Sequence, residues 1–273
     1  GIDVVGGTMS VSKTVSIPKL PTYTIKYNAN GGSSTPDDQT KYYGKAITLA
    51  KAISRTGYTF QGWGTSASDT TVDYKAEASY TTNASDTFYA IWKINTYKVT
   101  FDANGGTGGP TSQTKTYGKD LTLTTSAPSR TGFDFLGWST SKTATSATYP
   151  TGKTNVYKDN KAITLYAVWK KKTYTVTYDA KGGTVSPTSH TKTHDVALKL
   201  ATPTRTGYIF KGWATSSTST SVAYAPGANY TSNAKITLYA VWEIEYKKPT
   251  ISNLQVSRCD GSGNPVGDEA ETS

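Results

Sequence analysis

One nine-residue phrase occurs three times in this chain of 273 residues: RTGYTFQGW ending at Trp63, RTGFDFLGW at Trp138 and RTGYIFKGW at Trp213, with 75 residues at each step. A period that strict makes the chain a string of like modules and constrains the fold before any single residue does. Two more blocks keep the same order around it. Upstream are YTIKYNANGG (Tyr23–Gly32), YKVTFDANGG (Tyr97–Gly106) and YTVTYDAKGG (Tyr174–Gly183). Downstream are FYAIW (Phe88–Trp92), LYAVW (Leu165–Trp169) and LYAVW (Leu238–Trp242). All six tryptophans, and three of the four arginines, fall on this template. A unique catalytic or recognition site would need residues that break the repeat. The six tryptophans Trp63, Trp92, Trp138, Trp169, Trp213 and Trp242 are therefore expected to be structural core.

Each block has a physical reading. YTIKYNANGG alternates large and polar residues and stops at Asn30-Gly31, the signature of a half-buried strand running into a tight turn. Lys181-Gly182 takes that place in the third unit, so the first turn residue need not be Asn. Asn28, Asp102 and Asp179 occupy one position beside the turn, where a side chain that accepts a hydrogen bond suffices. In RTGYTFQGW, Thr-Gly marks a turn before Tyr58 and Phe60. Gly62 then stands where a third side chain would point, which predicts a bulge or a close approach by another backbone. The last strand, TLYAVW, is apolar on both faces and so should lie in the middle of its sheet. The polar stretch before it, STSKTATSATYPTGKTNVYKDNKAI in the second unit, has no helical periodicity and reads as loop with one short strand or turn.

Hydrophobic residues make up only 35% of the chain and charged residues 18%, with Thr, Ser, Tyr and Gly filling the gap; that mixture favours short strands and turns. A single cysteine, Cys259, allows no internal disulfide. Packing rather than cross-links must hold the modules, which suits an extracellular bacterial or phage protein. No apolar run approaches the ~20 residues of a membrane-spanning helix, so no membrane insertion is expected. The chain starts at Gly1 and reads as a fragment or processed piece, a monomer on its own, whose adjacent domains lie on the same polypeptide. The net charge is +10, but it comes from lysines dispersed over polar strand positions. Dispersed lysine blunts sheet edges and keeps a surface soluble, whereas nucleic-acid readers cluster Lys and Arg on one face; no nucleic-acid partner is expected.

Candidate chemistry is sparse. His190 and His194, four apart in HTKTHD, replace a Gln and a Tyr of QTKTYG (Gln113–Gly118), and no third or fourth ligand accompanies them. Cys259 has no histidine in its own unit, and no G-x-S-x-G elbow occurs. No catalytic residue, cofactor or metal is expected. The 20 tyrosines are more than three cores should need. Tyr42, Tyr74, Tyr149, Tyr157, Tyr224 and Tyr230 fall in loops or on polar strands, where they either cover the open side of a sheet or contact a ligand, a cell-surface glycan or a host protein.

Taken together, the motif Y-x-[VI]-x-[FY]-[DN]-A-x-G-G, then RTGY-x-F-x-GW, then [LF]YA[VI]W resembles the Listeria–Bacteroides repeat family, the internalin B-repeat type, over residues 23–243. The resemblance implies mainly β structure: small β-grasp (ubiquitin-like) modules in tandem, with the usual helix reduced or absent and no catalytic residues. It also implies an extracellular setting on a bacterial cell surface or virion. The expected organisation is the end of a preceding module over 1–21, repeat units over 22–94, 95–172 and 173–245, and the start of a further module over 246–273. In the first segment Val15 and Ile17 alternate with polar residues like a last strand. In the last, PTISNLQVSRCDGSGNP is similar to the first strand and turn of a phage minor structural protein module. Four-residue linkers, KINT (Lys93–Thr96) and KKKT (Lys170–Thr173), would hand the chain from unit to unit and give an extended rod. Two functions follow: a semi-rigid spacer or stalk for adhesion, or a binding module that grips a glycan or host protein through tyrosine-rich loops.

Overall fold

In the computed structural model, the structure describes residues 6–7, 14–250 and 258–266. It is built from strands, with no helix among the described residues. The first repeat contains β1 (Thr22–Asn28), β2 (Gln39–Tyr42), β3 (Ile47–Thr48), β4 (Tyr58–Gly64), β5 (Ser79–Tyr80) and β6 (Asp86–Ile94). The second contains β7 (Thr96–Asp102), β8 (Ser112–Thr116), β9 (Leu121–Thr122), β10 (Phe133–Ser139), β11 (Tyr149–Pro150), β12 (Val156–Tyr157) and β13 (Ile163–Lys171). The third contains β14 (Thr173–Asp179), β15 (Ser189–Thr193), β16 (Leu198–Lys199), β17 (Tyr208–Ala214), β18 (Asn229–Tyr230) and β19 (Ile236–Ile244). A short hairpin, β20 (Arg258–Cys259) with β21 (Pro265–Val266), follows. By contact the chain divides into two compact units. One comprises Gly1–Thr131 with Phe135–Lys170, and the other Gly132–Asp134 with Lys171–Ser273.

Each repeat is a mixed sheet. The strand order is β2-β1-β6-β4 in the first, β11-β10-β13-β7-β8 in the second and β15-β14-β19-β17 in the third. The first and last strands of a repeat pair in parallel, as in Tyr27 opposite Phe88, Phe101 opposite Leu165 and Tyr178 opposite Leu238. The strand expected to be central is central, and for the reason given by its residues: Phe88 and Ala90 face one cluster while Ile91 is buried on the other side. A small ribbon, β3 with β5 and its counterparts β9 with β12 and β16 with β18, closes over that face.

The glycines of the motifs are explained by what lies against them. At Gly62 the register with β6 slips between Phe60 and Gly62, the bulge expected there. Its φ is +152°, and a Cβ would meet Val72 and the Tyr74 carbonyl. The bulge turns the Trp63 ring into the core, where it is fully buried, packs on Tyr27 at 4.8 Å and donates Nε1–H to Ala50 O at 3.0 Å. The second glycine of the Gly-Gly pair answers the other tryptophan: a Cβ on Gly32 would lie 2.8 Å from the Trp92 ring, and Gly106 and Gly183 face Trp169 and Trp242 in the same way. Asn30, Asn104 and Lys181 take φ values of +46°, +48° and +49° in the turn. Beside them Asn28, Asp102 and Asp179 each accept the backbone N–H two residues on, at 2.7–2.8 Å.

Outside the repeats the expectations fare differently. Residues 14–21 form no strand, and Val15 and Ile17 are 72% and 85% exposed, with no sheet for an alternating pattern to lie on. The rest of that expected strand, and most of the expected strand in PTISNLQVSRCDGSGNP, lie outside the described residues.

Trp63 contributes the largest buried side chain of its cluster. Truncation to Ala is expected to cost about 3–5 kcal/mol. Thermal unfolding should show the first repeat melting early, while the indole environments of Trp138 and Trp213 stay native.

Candidate functional site

Among the described residues, three features stand out: the joint between repeats, an inward-pointing lysine, and the tyrosines. The joint comes first. β6 and β7 are separated by Asn95 alone, and β13 and β14 by Lys172 alone. The four-residue linkers expected from sequence are mostly strand, because Lys93 and Ile94 continue the pairing of β6 with β4. Asn95 N–H donates to Gly57 O at 2.9 Å in the first repeat, and Asn95 O accepts Tyr117 N–H at 2.9 Å from the second. Thr59 Oγ1 adds a bond to Asn95 Oδ1 at 2.7 Å. The Tyr117 ring lies over Gly57, whose φ is +79° and whose Cβ would collide with the ring, and it meets Tyr58 edge-on. The Thr-Gly of the RTGY phrase is thus both a turn and a docking surface for the next repeat. Within the other compact unit the same bonds recur: Lys172 N–H to Gly132 O at 2.9 Å, His194 N–H to Lys172 O at 3.0 Å, and the His194 ring over Gly132.

The second feature overturns a reading of the lysines as dispersed surface charge. Lys41, Lys115 and Lys192, the lysines of the three QTK and HTK segments, are at most 1% exposed. They sit at the inward position of an edge strand. Each Nζ donates to the carbonyl of the next residue and to an Asn side chain before the last strand: Asn83 at 2.9 Å, Asn160 at 3.0 Å and Asn233 at 3.2 Å. The same Asn oxygen also accepts the N–H of Gly44, Gly118 or Asp195. A buried ammonium needs its acceptors supplied by the fold, so this clamp ties the edge strand to the loop that leads into the last strand. Asp195 adds a third-repeat variation. Its φ is +55° where the other repeats use glycine, and its carboxylate accepts from Asn233 at 2.7 Å. That bond, aided by His194 and nearby lysines, holds its pKa below the usual range.

The histidines behave as substitutes. His190 Nδ1 meets Tyr178 OH at 2.9 Å, as Gln39 Oε1 meets Tyr27 OH at 2.5 Å. His194 pairs with Tyr174 OH and approaches Asp195 at 3.3 Å. Among the described residues no group of three or more His, Cys, Asp or Glu could hold a metal ion.

The six candidate tyrosines do not form one surface. Tyr42 is 59% exposed. Tyr74 and Tyr224 are half-buried and lie edge-on to Tyr80 and Tyr230. Tyr149 is half-buried at the rim of a cavity in the second repeat. Tyr157 and Tyr230 are core residues, 1% and 2% exposed, whose hydroxyls donate to Lys161 O and Ala234 O. Burial pushes both phenols above their usual pKa, and neither is open to a ligand. Their period-2 position in a two-residue strand, flanked by polar loop, hid this from sequence. Of the core tryptophans, Trp63, Trp138 and Trp213 are buried, while Trp92, Trp169 and Trp242 are half-buried against the same clusters. Sequence reasoning missed Gly57, Asn95, Tyr117 and the buried lysines. A signal existed for two of them: an aromatic ring recurs at Tyr43, Tyr117 and His194, and a lysine recurs two residues before it.

The profile of the Listeria-Bacteroides repeat domain matches residues 23–91, 97–168 and 174–241. A protein of Evansella cellulosilytica provisionally named a membrane protein is 31% identical over 91% of this chain and 36% of its own length. Internalin H of Listeria monocytogenes is 31% identical over 60% of this chain and 28% of its own length. The chain therefore spans about a third of the length of the curated relatives it matches. Among solved structures, domains 3–4 of the Streptococcal High Identity Repeats in Tandem from a cell surface protein are similar at 19% identity. That match covers 55% of this chain and 98% of that one at a TM-score of 0.23, too low to carry an argument about the fold.

Three outcomes are expected. Gly57→Val, strained at positive φ and driven into Tyr117, should cost on the order of 1–3 kcal/mol and speed amide exchange at Asn95 and Tyr117. Gly118→Asp, which copies the third repeat into open space, should cost far less. Asn160→Ala leaves the Lys115 ammonium with one acceptor fewer and should lower stability by about 3 kcal/mol in denaturant titration.

Proposed function

The chain belongs to the Listeria–Bacteroides repeat family as three tandem copies, and from that premise we propose that it is a non-catalytic surface repeat region acting as a semi-rigid spacer. It would hold an adhesive or binding domain of the same polypeptide away from a bacterial cell surface. Each module is read as β-grasp-like without the helix. The support is the strand order, with the first and last strands parallel at the centre of the sheet. The observation that carries the spacer reading is the one-residue handover at Asn95, bonded to both neighbouring repeats. A linker of one residue with both backbone groups engaged has little freedom to bend. The motif residues support the non-catalytic reading because they are used in packing, turns and the joint. The chain aligns with only about a third of the length of these relatives, which fits a segment that serves other domains. Tyr43, 49% exposed, and Gly207, with nothing near its Cβ position among the described residues, are the counterparts of Tyr117 and Gly57. They offer the same docking surfaces to further modules in series.

A second reading, contact with a glycan, is favoured by one observation: the cavity beside Tyr149, in the one repeat whose loop differs in length from the other two.

Small-angle scattering tests the spacer. Modules of roughly 25–30 Å in series make a rod of roughly 90–110 Å, with a radius of gyration of about 30 Å. A compact globule of this size would give ~19 Å. The rod value is expected at low concentration, and the globule value would remove the basis of the spacer.

A further inference from the structure

Trp63 and Trp213 each donate their indole N–H to a carbonyl of the facing loop, Ala50 O at 3.0 Å and Ala201 O at 2.9 Å. The second repeat has Thr124 at that place. Its local bonding is different: Thr124 Oγ1 accepts Ser126 N–H at 3.1 Å, and Thr124 N–H donates to Gln113 Oε1 at 3.0 Å. In the first and third repeats the corresponding N–H donates to the hydroxyl of Tyr27 or Tyr178, but the second repeat has Phe101 there and Gln113 must reach across. As a result Trp138 Nε1 has no acceptor among the described residues, although Trp138 is only 4% exposed. No sealed side-chain nitrogen or oxygen among the described residues lacks a partner. The N–H must therefore face an opening.

A cavity open to solvent, about 340 Å³ with the solvent space at its mouth included, is lined by Trp138 together with Phe135, Tyr149, Thr124, Thr151 and Lys153, among others. It exists because the segment from Tyr149 to Tyr157 is two residues longer than Tyr74–Tyr80 or Tyr224–Tyr230. The longer loop is pinned outward by Thr151 N–H to Leu136 O at 3.1 Å and by Asn155 Nδ2–H to Pro150 O at 2.8 Å. An indole N–H that makes no bond within the protein and opens outward is free to donate to a ligand oxygen.

We propose that this cavity is a binding subsite for a single pyranose residue of a glycan, with a sugar oxygen accepting the Trp138 indole N–H. The lining fits that chemistry. Phe135 and Tyr149 offer aromatic surface for the C–H face of a sugar ring, and threonine hydroxyls can both donate to and accept from sugar hydroxyls. A hydrocarbon ligand would leave the indole unpaired. The lining contains no carboxylate and one cation, Lys153, so neutral or acidic sugars suit it and cationic ligands do not. The proposal is independent of the spacer reading: a rod that binds no sugar and a sugar binder that is not a rod are distinguishable results.

The test is a titration of the ¹⁵N-labelled whole chain with glucose, N-acetylglucosamine and glucuronate in turn, following the indole N–H resonances of the six tryptophans. The Trp138 resonance, assigned by Trp138→Phe, is expected to shift and saturate with a Kd of about 1 mM. Those of Trp63 and Trp213, already bonded internally, should stay still. The double substitution Thr151→Val with Lys153→Ala changes only exposed loop residues and should weaken binding about tenfold with all six resonances native. It carries the test if Trp138→Phe does not fold. Failure of all three sugars to move Trp138, equal movement of all six indoles, or unchanged binding by the loop variant would overturn the proposal.

Discussion

The last strand of every repeat runs parallel to the first and beside it. Two parallel neighbours cannot be joined by a tight hairpin, so the chain between them must travel round the sheet and return to the starting end. Here that return is made by an edge strand, a bulged aromatic strand and a small ribbon instead of a helix. The last strand then leaves at the end opposite to the one where the first entered. A following repeat can begin at once, and in this chain it begins after one residue.

What holds such a helix-poor sheet closed is a set of glycine and aromatic pairs. Gly62 bends its strand so that Trp63 turns inward, Gly32 makes room for Trp92, and Gly57 receives Tyr117 from the next repeat. In each case the missing side chain is the point: a ring occupies the volume a Cβ would take at Gly32 and Gly57, and the Val72 side chain with the Tyr74 carbonyl does so at Gly62, and close packing of that kind is unforgiving of added atoms. The buried Lys–Asn clamp does for the polar side what the rings do for the apolar side. It fastens the edge strand through an ammonium that bonds the carbonyl of the next residue and the side chain of the distant Asn83.

The period and the alternation made the strands, the central position of FYAIW and LYAVW, the turn at Asn30-Gly31 and the bulge at Gly62 legible in the sequence. These depend on local residue order, which a sequence displays. The buried lysines were not legible: QTK reads as three polar residues, and only the tertiary partner Asn83, 42 positions away, makes an inward ammonium tolerable. The burial of Tyr157 and Tyr230, which fall in loops or on polar strands by sequence, is not legible for a similar reason, since it depends on a two-residue ribbon too short to show a pattern. Of the sites, the tyrosine set dissolved into core, rim and surface. The cavity of the second repeat arises from a difference between repeats, the Ala-to-Thr change at Thr124 together with a longer loop, which a reading centred on what the repeats share passes over.

The claim on which the functional account stands is that the Asn95 joint makes the first two repeats one stiff piece. Residual dipolar couplings from backbone amides of the whole chain, weakly aligned, measure this directly. The account predicts that couplings from β1 and β6 and those from β7 and β13 fit a single alignment tensor of common magnitude and orientation. If each repeat required its own tensor, with order reduced in one of them, the joint would be a hinge and the account of a stiff series of modules would be contradicted.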